Sequence, residues 1–261
     1  MKNTFRILVM GAVTVLAFRS ARAQTQFAGW AATFQNYKLS DKFGLYFDGQ
    51  WRSTAQVQQM QALLLRPGVN FYFTPSLNGA AGYAFIPQQR ISSGVTGYLP
   101  EHRSWQQLVY THSVKTGHGS HPIQVNHRLR LEQRFIPRHH AAGDALVHDG
   151  HHYAGRLRYF ARGVIPLVRH QASALASSSS PKPPFTKGFF AALQNETFFN
   201  TAHQSAVNGK LFDQNRLYAA AGYRCSSQLD IEAGYMNQYI SGTGSNSTNN
   251  HILQVATYLR L

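Results

Sequence analysis

From residue 27 onward the chain alternates apolar and polar positions with a period of two. Residues 43–52 set Phe43, Leu45, Phe47 and Trp51 against Tyr46, Asp48, Gln50 and Arg52. Residues 128–135 set Arg128, Arg130, Glu132 and Arg134 against Leu129, Leu131, Gln133 and Phe135. The next segment repeats the scheme, with Arg156, Arg158 and Arg162 against Leu157, Tyr159 and Ala161. The final one places Leu253, Val255, Thr257, Leu259 and Leu261 opposite Gln254, Ala256, Tyr258 and Arg260. Because successive side chains of a strand point to opposite faces, this pattern predicts β-strands with one apolar and one polar face.

The segments read as strands are 27–37, 43–52, 60–73, 79–87, 102–113, 123–136, 153–167, 188–199, 212–224, 228–240 and 250–261. Many are at or above the ~10 residues that a tilted strand needs to cross a bilayer. No convincing helix separates them, which argues against a βαβ architecture. Turns at 38–41, 74–78 and 225–227 are short, 114–122 is a further turn, and connections at 88–101, 137–150, 200–211 and 241–249 are longer and polar. The stretch 169–184, with four consecutive serines and Pro-Lys-Pro-Pro, is expected to be flexible.

The fold class expected is all-β: a single antiparallel up-and-down transmembrane β-barrel. Eleven segments conflict with the even strand number of bacterial single-chain barrels. The expectation is therefore 10 or 12 strands, with 60–73, interrupted by Arg66-Pro67-Gly68, or 27–37 as the miscounted segment.

Composition adds to this picture. Charged residues are only 13% of the chain, about half the ~25% usual in soluble domains, while Phe, Tyr and Gly abound. Lys2 and Arg6 precede an apolar stretch from Ile7 to Phe18, and Ala21-Arg22-Ala23 offers a small-x-small cleavage site. Residues 1–23 thus read as a secretory signal peptide and 24–261 as the barrel domain. Export makes nucleic acid an unsuitable partner for the net charge of +15. Outer-membrane lipid and small anionic solutes remain as partners. The single cysteine, Cys225, permits no internal disulfide.

A resemblance rests on several motifs in order. They are KLSDKFGLYFDGQWR at 38–52, HRLRLEQRF at 127–135, RLRYFARGVIPL at 156–167, LQNETFFN at 193–200 and DQNRLYAAAGY at 213–223. Together they resemble an uncharacterised family of outer-membrane barrel proteins from Bacteroidota-type bacteria, a domain of unknown function. The resemblance implies a barrel in the outer membrane of a Gram-negative cell, and no activity. The chain departs from the usual aromatic terminus of such barrels, ending in Leu259 and Leu261.

Three constellations could carry chemistry. The first is an arginine ladder of Arg52, Arg128, Arg130, Arg134, Arg156, Arg158, Arg162, Arg216 and Arg224, with Arg260 beyond it. Asp48, Glu132, Glu196, Asp230 and Glu232 are candidate partners on the same face. Arg facing lipid at the midplane costs about 2–4 kcal/mol, so these residues are expected to face the lumen. They make either an anion-attracting interior, in a porin-like reading, or a paired network that fills a narrow barrel, since the guanidinium fork fits carboxylates without any ligand. The second is a loop with His139, His140, His148, His151 and His152, whose spacing matches no structural metal motif. The third is a Ser/His arrangement, His112-Ser113 or His203 with Ser205, as in a membrane lipid hydrolase. The leading expectation is a non-enzymatic barrel without a cofactor. The alternatives are a lipid hydrolase and a soluble secreted β-protein with an interaction role.

Overall fold

The computed structural model describes residues 23–54, 56–115, 122–167 and 185–261. The signal-peptide reading of 1–23 falls almost wholly outside these residues, as does the serine-rich stretch 169–184.

Eleven strands close into one barrel: β1 (Ala23–Lys38), β2 (Phe43–Thr54), β3 (Gln59–Thr74), β4 (Leu77–Ser92), β5 (Val95–Val114), β6 (Ile123–Ala142), β7 (Ala145–Pro166), β8 (Gly188–Ala202), β9 (Phe212–Arg224), β10 (Leu229–Ser241) and β11 (Ser247–Arg260). Consecutive strands pair antiparallel throughout. The barrel closes by a parallel pairing of β1 with β11, Phe27 opposite His251 and Thr33 opposite Thr257.

The all-β barrel expectation holds, but the expected 10 or 12 strands of a wholly antiparallel meander are corrected to 11. Each antiparallel step reverses direction, so after an odd number of strands the last runs parallel to the first. Closure then requires a parallel ladder, which satisfies the edge groups of both strands as well as an antiparallel one would.

Neither suspect segment is miscounted. β3 runs unbroken through Arg66-Pro67-Gly68, with Pro67 opposite Phe47 and Gly68 opposite Gly82. The glycines are there for Trp105, a fully buried side chain. A Cβ on Gly68 would lie 2.6 Å from its Cη2, and one on Gly82 2.5 Å from its Cζ2 and 2.2 Å from the Pro67 carbonyl oxygen.

Two of the long loops are also corrected. Residues 88–101 and 137–150 are strand almost to their tips. The β4–β5 hairpin turns on Ser93 (φ 49°) and Gly94 (φ 82°), the pair of positive φ angles that a type I′ turn needs. In the β6–β7 hairpin Gly143 (φ 58°) takes the first central position before Asp144, as type II′ requires. Backbone pairing continues here without an apolar face, which is why the polar sequence resembled a loop. By contrast, 203–211 does leave the sheet, with a single 3-10 turn at Gln204–Ala206.

Candidate functional site

Alternation along the strands turns the barrel inside out relative to a soluble domain. Large apolar side chains stand exposed on the outer wall, including Leu193 (55%), Leu217 (49%), Leu253 (54%) and Val255 (54%). Their strand neighbours, Gln194, Glu196, Arg216 and Gln254, are buried inside. Aromatic side chains flank this belt, Phe135 beside Tyr153 toward one end and Tyr110, His127 and Tyr159 toward the other. The outward polar side chains satisfy one another. Gln106 and Gln133 exchange hydrogen bonds at 3.1 and 3.3 Å, and Asn195 and Asn215 do so at 3.1 Å.

The interior is built from charge and aromatic rings. Glu132 on β6 accepts from Arg156 at 2.6 Å and Arg158 at 2.5 Å on β7, with Arg103 of β5 at 3.4 Å. Glu196 on β8 accepts from Arg158 at 2.6 Å and Arg128 at 2.7 Å. Asp48 on β2 meets Arg66 of β3 at 3.0 Å and accepts from Gln50 at 3.0 Å. Glu232 on β10 holds Arg162 at 2.5 Å and accepts from the Tyr258 hydroxyl at 3.0 Å. Near the end carrying Leu261, Asp230 is forked by Arg224 at 2.7 and 2.9 Å and touched by Arg260 at 2.8 Å.

The guanidinium planes also lie over rings: Arg130 over Trp105 at 4.7 Å, Arg158 over Phe198 at 4.6 Å, Arg128 over Phe160 at 4.4 Å and Arg162 over Tyr258 at 4.9 Å. Stacking and bidentate bonding are the two properties that distinguish Arg from Lys at buried sites.

The fourteen charged residues singled out from the sequence all lie on the inward face. Arg134 bonds Glu101 at 2.7 Å, and Arg130 is held only by neutral groups, the Gln107 amide at 2.6 and 2.9 Å and the Tyr46 hydroxyl at 3.2 Å. Arg52 bonds the Gln50 amide at 2.6 Å and stacks on Trp30 at 3.9 Å. Arg216 lies 3.9 Å from Glu196.

Sequence reasoning missed Arg66, Glu101, Arg103 and Asp213. Glu101 is fully buried and gathers Arg90, Arg103 and Arg134 at 3.4, 2.7 and 2.7 Å. Asp213 meets Arg156 at 3.1 Å. The signal for Glu101 and Arg103 was available as an alternation, Glu101-x-Arg103-x-Trp105-x-Gln107, cut short by ending the loop at 101.

The histidine-rich residues lie on strands instead of a loop. His139 stands opposite His148, and a bulge after Pro137 offsets His151 and His152. His140 Nδ1 lies 2.5 Å from Asp149 Oδ2, and the His151 ring lies between His148 and His102. Among the described residues no group of three or more His, Cys, Asp or Glu side chains is placed to hold a metal ion. His112 and Ser113, adjacent on β5, point to opposite faces, and the His112 ring stacks on His127 and Tyr110. His203 stands edge-on to Tyr153.

Two chambers open in the interior among the described residues. The larger, about 570 Å³, lies toward the end with Lys38, Ser227 and Leu261. The smaller, about 240 Å³, lies toward the opposite end, with Gln61, Gln88 and Ile240. Val207 and Asn208 also line the smaller chamber, so the 203–211 connection folds over it. Asn208 fixes that connection by donating to the Ser241 carbonyl at 2.8 Å and the Phe212 carbonyl at 3.0 Å. Trp30, Arg158 and Arg216 belong to the walls of both chambers and form the partition.

These features define a closed β-barrel with a charged, partitioned interior and an apolar exterior. The sequence model of a family described as "Protein of unknown function (DUF2490)" matches residues 27–249, and the chain belongs to that family. Comparison with curated proteins and with solved structures gives no match.

Proposed function

We propose that this chain is an outer-membrane β-barrel of a Gram-negative cell, seated in lipid by its outer wall, whose interior attracts and holds small anions instead of conducting them as a porin does. The observation that carries the reading is the inversion of polarity, Leu193, Leu217, Leu253 and Val255 outside against Glu196, Arg216 and their partners inside. A water-exposed barrel would leave this belt of large apolar side chains uncovered, whereas soluble monomers rarely expose contiguous apolar patches beyond a few hundred Å². Along β6, Phe135 and His127 lie eight positions apart, about 27 Å of strand at ~3.4 Å per residue. A tilt of 35–45° makes this roughly 20 Å, of the order of the ~25 Å apolar band of membrane barrels. Self-paired outward amides suit a surface without water to solvate them. The signal-peptide pattern of residues 1–23 supplies the route.

Holding is favoured over passage because Trp30, Arg158 and Arg216 stand between the chambers, and Arg158 is tied to both Glu132 and Glu196. A binding barrel is favoured over a lipid hydrolase because His112 and Ser113 face opposite sides. The test is expression of the full chain in a Gram-negative host, with fractionation and detergent extraction. Recovery in the membrane pellet with heat-modifiable gel migration is expected, and recovery as soluble periplasmic protein overturns the location. In planar bilayers no sustained porin-sized conductance is expected. A steady open level refutes the holding part.

A further inference from the structure

We infer that the smaller chamber is a binding site for a phosphate group, with Arg52 and Arg216 as its principal ligands. This rests on the reading that the interior draws anions and names both the place and the chemistry.

Charge inside the barrel is unbalanced. The chain has ten carboxylate side chains, and all lie among the described residues. Asp41, Asp144 and Asp149 are exposed. That leaves seven for the interior, against twelve inward arginines from Arg52 to Arg224. A guanidinium is always charged, and burying it without a counter-charge is unfavourable.

The excess is concentrated. Seven arginines line the smaller chamber, and Asp213 is the one carboxylate among its lining residues. Most of the seven are engaged elsewhere: Arg103 and Arg134 by Glu101, Arg156 and Arg158 by Glu132, Arg66 by Asp48. Arg52 and Arg216 are not. Arg52 has no carboxylate within 4.0 Å among the described residues and donates only to the Gln50 amide oxygen. Among the described residues the one carboxylate within 4.0 Å of Arg216 is Glu196, at 3.9 Å, and the Arg216 hydrogen bonds go to neutral amides, Gln214 at 3.2 Å and Gln238 at 3.1 and 3.2 Å. Both guanidiniums lie over the Trp30 ring, at 3.9 and 5.1 Å, and both line the chamber wall. Two guanidiniums without a close carboxylate, in a wall that carries five further arginines and Asp213 as its one carboxylate, call for an anion.

The chemistry of that anion follows from geometry. A single planar carboxylate is matched by one guanidinium fork. Several guanidiniums reaching a chamber from different strands suit a tetrahedral oxyanion, with acceptors in three dimensions and up to two charges. A chamber of about 240 Å³ accommodates inorganic phosphate or a small phosphate ester and excludes a large ligand.

The test uses the full-length protein purified in detergent at low chloride, titrated calorimetrically with inorganic phosphate, glycerol 3-phosphate and acetate. Saturable binding of both phosphates, at least tenfold tighter than acetate, is expected; the relative affinity of the two separates free phosphate from an ester as the preferred source. The double variant R52Q/R216Q is expected to lose phosphate affinity at least tenfold, while R260Q, altered in the larger chamber, keeps it. Phosphate should also raise the melting temperature of the parent protein and not that of R52Q, whose side-chain hydrogen bonds go to Gln50 alone, which makes it the safer variant if the double one does not fold. Absent saturable binding, acetate binding as tightly as phosphate, or unchanged affinity in R52Q overturns the proposal. A soluble location would refute the membrane reading and leave this titration unaffected.

Discussion

Arg158 Nη1 donates to Glu132 Oε1 at 2.5 Å, a contact between adjacent strands made inside the barrel. The same guanidinium gives Nε and Nη2 to Glu196 on the other flanking strand, at 3.0 and 2.6 Å. One side chain thereby laces β6, β7 and β8 together. Glu132 in turn carries Arg156, so each partner of the pair is shared. An isolated buried ion pair often fails to repay its desolvation. Here each ordered side chain serves two partners, which spreads that penalty.

Removing the shared anion therefore strips one carboxylate from two guanidiniums at once, leaving Arg158 with Glu196 at 2.6 Å and Arg156 with Asp213 at 3.1 Å. Glu132→Gln leaves Arg156 and Arg158 buried with an amide in place of a carboxylate. Leaving a buried charge wholly uncompensated destabilises by about 3–5 kcal/mol, and the carboxylates that remain place this variant at or below the lower end of that range. The expected outcome is an earlier loss of the heat-modifiable gel band and a lower urea midpoint for the variant refolded in detergent.

The outer wall gives an independent reading of the environment. Leu193→Arg places a guanidinium on the exposed apolar belt. In a bilayer this costs about 2–4 kcal/mol near the midplane, measured as reduced folding into liposomes. A water-facing surface would change by no more than ~0.5 kcal/mol, so a neutral outcome argues against lipid contact.

Closure by the parallel seam is testable by cross-linking. Ala31 and Val255 are register partners on β1 and β11, both exposed outward. With Cys225→Ser removing the native thiol, Ala31→Cys with Val255→Cys is expected to form a disulfide on oxidation. The readout is a non-reducing gel shift. A seam paired in another register, or an open sheet, would leave both thiols free to alkylation.

The Trp105 seat predicts a sharp steric effect. Gly82→Ala would put a methyl 2.2 Å from the Pro67 oxygen and 2.5 Å from the Trp105 ring. Overpacking of this kind typically costs about 1–3 kcal/mol. The variant is expected to show a lower melting temperature and altered Trp fluorescence, whereas Gly163→Ala, with its nearest neighbour at 3.8 Å, should leave the Trp signal unchanged.

The sequence by itself determined the two faces of the wall. The alternation of Arg128, Arg130, Glu132 and Arg134 with Leu129, Leu131, Gln133 and Phe135 is a local property, because neighbouring side chains on a strand are forced to opposite sides. All eleven strand segments were legible for the same reason, 60–73 included. The parity of the barrel was not, since closure depends on how the first and last strands meet, and no local pattern distinguishes a parallel from an antiparallel seam. Nor could the pattern match charges. Arg128 finds Glu196 across 68 positions and Arg162 finds Glu232 across 70, distances bridged only by the register of several strands. Glu101 was hidden by a polar stretch, 88–101, that resembles a loop until its backbone is found paired, and with it the partner of Arg103, which stands in the strand read at 102–113. The tertiary structure alone decided that seven buried carboxylates stand against twelve inward arginines, and that seven of those arginines line one small chamber beside Trp30 with Asp213 as its one carboxylate. Charge balance inside a closed barrel is set by which side chains converge, and convergence is a property of the assembled wall.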